Sequence, residues 1–118
     1  MAWWRWAHPG GSRLARIRQT RAVRRVTARL AAAKQPDDVA DALHAYLVER
    51  LGVPIPSATA CDVMAALEPA GVDETKIREV IALFRRCDAA RFGDGHDSVA
   101  TLATDAKQLV HSWEGLPC

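Results

Sequence analysis

Four histidines (His8, His44, His96, His111) and three cysteines (Cys61, Cys87, Cys118) are the side chains here that could hold a metal or act as nucleophiles. A zinc site needs three or four such groups converging, and a sequence announces it with Cys-x-x-Cys or with histidines four apart on a helix. Neither pattern occurs: the cysteines are 26 and 31 residues apart, and no histidine pair has ligand spacing. Scattered histidines are therefore the reading, with no metal and no cofactor. The odd cysteine count argues against a disulfide scaffold and suits a reducing cytoplasm. Cys87 stands between Arg86 and Asp88, and a neighbouring guanidinium can lower a thiol pKa enough for a redox switch. It also shares a stripe with Ile77, Val80, Ile81 and Phe84, and the inert core thiol is the favoured reading.

Gly93-Asp94-Gly95 lacks the Lys-Ser or Lys-Thr and the preceding strand of a phosphate loop, so it reads as a helix–helix turn. Asp37 and Asp38 follow Pro36, where negative charge favours a helix start, and they carry no acid–base claim. No catalytic group emerges. A non-enzymatic protein with no small-molecule substrate is expected.

The N-terminal arm is different. Residues 1–35 hold nine basic side chains and no acidic one, whereas the rest holds seven basic and all fourteen acidic ones, a split hidden in the net charge of +2. Trp3, Trp4 and Trp6 surround Arg5, and Arg13, Arg16, Arg18, Arg21, Arg24 and Arg25 follow. Tryptophan favours the headgroup level of membranes, and arginine collects just cytoplasmic of a span. The same arginines could neutralise nucleic-acid phosphates while the tryptophans stack on bases. The plainest alternative is a solvated basic helix paired with the protein's own acidic faces. The tryptophan-before-arginine order favours a membrane-proximal arm, with those ten residues contacting the anionic surface. Nucleic acid is the second choice.

The elements that must position these residues are helices. Ser12 can cap a basic helix over 13–34, with Leu14, Ile17, Val23, Val26, Leu30 and Ala33 as a broken stripe. Clean core spacing begins only at Val23, so the first half is free to project. Pro36 opens a second helix that places Val39, Ala42, Leu43, Tyr46, Leu47 and Leu51 on one face, and Gly52 ends it. Thr59 with Asp62 marks a short third helix carrying Val63, Met64 and Leu67. Asp73 caps a fourth running to about Arg91, and Asp97 or Ser98 caps a fifth with Val99, Leu102, Ala103, Ala106, Leu109, Val110 and Trp113 on its stripe. The expectation is an all-α compact bundle of about five helices. Residues 1–11 are its Trp-rich stub, 12–35 the basic helix and 36–118 the bundle, with helices two to five as the core. No run approaches the roughly 20 apolar residues of a membrane span, and the first eleven residues lack the apolar run of a secretory signal.

Three stretches carry a family resemblance. They are Ala42-Leu43-His44-Ala45-Tyr46-Leu47-Val48-Glu49-Arg50-Leu51-Gly52, a Pro-containing loop into a short helix ending at Ala70-Gly71-Val72, and Leu83-Phe84-Arg85-Arg86-Cys87-Asp88-Ala89-Ala90-Arg91-Phe92-Gly93. Segment 38–93 thereby resembles the C-terminal cytoplasmic helical domain of BatD-type aerotolerance-operon proteins. The resemblance implies a helical tail at the inner face of a bacterial membrane, with MoxR-type AAA+ ATPases or von Willebrand factor A proteins as partners and no catalytic motif. This chain lacks the family's signal, β domains and span. It reads either as an excised tail with residues 3–25 as juxtamembrane stub, or as a stand-alone cytoplasmic relative.

Overall fold

The computed structural model describes residues 13–52, 54–93 and 97–114, with side chains from residue 21 onward. Five α-helices and no strand occur among them: α1 (Arg13–Ala31), α2 (Pro36–Leu51), α3 (Ala60–Leu67), α4 (Glu74–Arg91) and α5 (Val99–Trp113).

Local chemistry sets the helix ends. Gln35 is extended, as a residue before proline prefers, and Pro36 occupies the first turn of α2 where no N–H is needed. The Asp38 carboxylate accepts the backbone N–H groups of Lys34 (2.9 Å) and Gln35 (3.1 Å). Those amides are turned toward α2, and α1 stops at Ala31, short of the expected Lys34. The Thr59 hydroxyl accepts from the Asp62 amide at 3.4 Å, but the Asp62 carboxylate holds the Ser57 hydroxyl instead of completing a reciprocal box. Asp73 caps α4 through the Thr75 amide at 3.3 Å. Ser98, rather than Asp97, caps α5 through the Thr101 amide at 3.1 Å. Gly52 closes α2 at φ 69°, where a side chain would be strained, and donates its N–H to the Val48 carbonyl at 2.9 Å.

The core is centred on α2. That helix packs on α4 and α5, and Leu43, Tyr46 and Leu47 of α2, Val80 and Phe84 of α4, and Leu102 and Val110 of α5 are all fully buried, while α3 packs on α4 and adds buried Val63 and Leu67. The basic helix also belongs to this core. Ala22, Val26 and Leu30 are buried and α1 packs on both α2 and α5, which corrects the expectation that helices two to five make the core alone. Among the described side chains Ala22, not Val23, is the first in the core: it lines the seam with α2 together with buried Ala42, and small residues there let two helices approach closely. The Cα radius of gyration, 13.6 Å, matches the roughly 13.5 Å expected of a compact chain of this length. Among the described residues no helix is long and apolar enough to cross a membrane.

Candidate functional site

Burying Ala22, Val26 and Leu30 forces the intervening residues of α1 outward. Arg21, Arg24, Arg25 and Arg29, three and four apart, form one exposed ridge. Arg25 reaches Glu49 of α2 at 3.1 Å, with the two side chains 64% and 31% exposed. Such a pair contributes about 0–1 kcal/mol, since water screens it and two long side chains must be ordered. Arg21, Arg24 and Arg29 have no carboxylate within 4.0 Å among the described residues. Elsewhere Arg50, Arg78, Arg86 and Arg91 hold carboxylates, and exposed Arg85 has none within 4.0 Å among the described residues. The self-paired basic helix therefore describes Arg25 but not its neighbours.

Of the surface residues named from sequence, the structure brings Arg21, Arg24 and Arg25 onto this ridge. Arg13, Arg16 and Arg18 lie in α1, but their side chains fall outside the described ones, and Trp3, Trp4, Arg5 and Trp6 lie outside the described residues. Arg29 was missing from that set. Its spacing of four from Arg25 is the signal that places it.

Beside the ridge runs a cleft between α1 and α2 of about 370 Å³. Ala22, Val26, Ala42, Ala45 and Val48 give it an apolar lining, Arg25 and Arg29 stand on the α1 side, and Glu49 stands on the α2 side. A second hollow of about 310 Å³ continues it past Arg29 and Ala33 to Asp38 and Asp41. Sequence reasoning missed this acidic wall because Asp38 and Asp41 were assigned wholly to the start of α2.

The remaining polar clusters tie elements together. Arg50 grips Glu114 through Nε (3.2 Å) and Nη2 (2.9 Å), with both side chains almost wholly enclosed. Tyr46 lies beside them, and burial, reinforced by the Glu114 carboxylate, holds its phenol well above the ordinary value. Arg86 spans Asp97 in bidentate fashion (3.0 and 3.1 Å) and Asp105 (2.8 Å), docking the start of α5 on α4. The two carboxylates raise the pKa of an already permanent cation. His44 Nε2–H donates to the Ile55 carbonyl at 2.7 Å, fixing the loop after α2. Cys87 is buried, and burial, with Asp88 adding to it, pushes its thiol up to about 11. A thiol held protonated in this way is a packing group rather than a nucleophile at neutral pH. No group of three or more metal-ligating side chains occurs among the described residues.

What the ridge can do chemically is bind anions, by charge and by the forked donors of guanidinium groups. Comparisons with protein-family models, with curated proteins and with solved structures return no match.

Proposed function

We propose that this chain is a non-enzymatic helical interaction domain that docks on an anionic surface through the arginine ridge of α1, working as a scaffold at the cytoplasmic face of a bacterial membrane. The observation that carries the reading is the exposure of Arg21, Arg24 and Arg29 with no carboxylate in reach among the described residues. A basic side chain near an anionic leaflet contributes about 1 kcal/mol, so Arg21, Arg24 and Arg29 together supply about 3 kcal/mol. Arg5, Arg13, Arg16 and Arg18 would add to this, and Trp3, Trp4 and Trp6 would sit at headgroup level. The tryptophan-before-arginine order supports a membrane over nucleic acid as the anionic surface. The resemblance of segment 38–93 to BatD-type tails supports the same placement and suggests MoxR-type ATPases or von Willebrand factor A proteins as partners of the bundle.

Sedimentation with vesicles tests the reading. The chain should bind vesicles containing phosphatidylglycerol and not neutral ones. Arg21→Gln with Arg24→Gln should weaken binding about thirtyfold, the equivalent of about 2 kcal/mol. Unchanged binding of that variant would overturn the reading. Tighter binding to DNA or RNA, lost steeply with salt, would transfer the ridge to nucleic acid.

A further inference from the structure

Helices α1 and α2 are joined by only residues 32–35 and pack together, so they run antiparallel as a hairpin. Arg29 shares its hollow with Asp38 and Asp41, and Arg25 reaches Glu49. The hairpin thus shows a basic wall on α1 (Arg25, Arg29) and an acidic wall on α2 (Asp41, Glu49), with the alanine- and valine-lined cleft between them. Arg29 and Asp41 are both exposed, and neither has an opposite charge within 4.0 Å among the described residues.

We propose that this face is covered by a second copy of the chain, in a twofold dimer whose axis runs parallel to the hairpin. Two twofold arrangements can set such faces together. An axis across the helices lays α1 on α1 and α2 on α2, cation on cation and anion on anion. An axis along them lays each α1 on the other copy's α2 and preserves height, so Arg29 meets the partner subunit's Asp41 and Arg25 the partner subunit's Glu49. The operation repeats each contact, making the surface complementary to itself. The charged walls select this partner and register, and of the apolar lining the half-buried Ala45 and Val48 lose water as the copies close. This inference shares Arg25 and Arg29 with the docking on an anionic surface proposed above, but not Arg21 and Arg24, which do not line the cleft.

Sedimentation equilibrium of the full chain across a concentration series at low ionic strength tests it. The wild-type chain should dimerise. Arg25→Glu with Arg29→Glu should weaken association about tenfold or more, and so should Asp41→Lys with Glu49→Lys. All four side chains are exposed, so helical circular dichroism should not change. An equimolar mixture of the two variants should form a heterodimer, since every wall then faces its opposite. A wild-type chain that stays monomeric, a variant that dimerises undiminished, or a mixture that fails to associate would each overturn the proposal. The Arg21→Gln, Arg24→Gln variant should dimerise normally, which keeps this outcome separate from vesicle binding.

Discussion

Glu49 and Arg50 are neighbours in sequence, and each belongs to an Arg–Glu pair of similar length, 3.1 Å to Arg25 and 2.9 Å to Glu114. Their surroundings differ completely. The Glu49 pair lies between two helices in water, with side chains 31% and 64% exposed, whereas the Arg50 pair is 10% and 0% exposed. The distances alone would rank them as equals. Burial separates them: in water either partner is solvated again when the other is removed, whereas in the interior the survivor is a stranded charge. One step along α2 turns a residue through about 100°, which is enough to take it from solvent into the core. The two sides of α2 accordingly differ, the buried side anchoring the end of α5 and the exposed side presenting charge to solvent.

The contrast can be broken most strongly at Glu114. Glu114→Ala leaves Arg50 buried without its carboxylate and should cost about 3–5 kcal/mol, read as a lower urea midpoint at unchanged slope. A cost below about 1 kcal/mol would mean the site opens to water and the two pairs are alike.

Titration sharpens the same contrast from the thiol side. Burial raises the Cys87 pKa from 9.0 in the open chain to about 11 in the fold. Between those values the folded state keeps a proton that the unfolded state releases, so stability is whole below pH 9 and falls as pH rises toward 11. The loss should reach about 2–3 kcal/mol. Tyr46, held up in the same way, steepens the fall above pH 10. Denaturation midpoints at pH 8, 9, 10 and 11 would show this, and Cys87→Ala should flatten the first part of the slope. An equal slope in that variant would remove Cys87 as the cause.

The smallest effect belongs to the exposed pair. Arg25→Ala should change stability by about 0–1 kcal/mol, and the change should vanish at high salt. A loss comparable with that of Glu114→Ala would show that α1 is held on by charge rather than by Ala22, Val26 and Leu30.

The legible parts of this molecule are those whose cause is local. Pro36, Gly52, Asp73 and Ser98 mark helix ends through backbone chemistry within a few residues, and the stripes of α2, α4 and α5 follow from helical periodicity. Cys87 was legible as a core residue because its stripe outweighs its charged neighbours. The cleft was not, because Asp38, Asp41 and Glu49 have good local reasons to stand in α2, and only packing against α1 turns them into a wall facing Arg25 and Arg29.

By itself the sequence determined an all-helical fold, the positions of its caps, and the crowding of cations at one end of the chain. All of these arise from residues within a turn or two of one another. Only the tertiary structure decided that the basic helix is part of the core through Ala22, Val26 and Leu30. It also decided that Arg50 meets a carboxylate 64 residues away and that Arg21, Arg24 and Arg29 are left without one among the described residues. Which charges are paired depends on where distant helices come to rest. That is settled by burying apolar surface throughout the chain, and the charges themselves do not encode it.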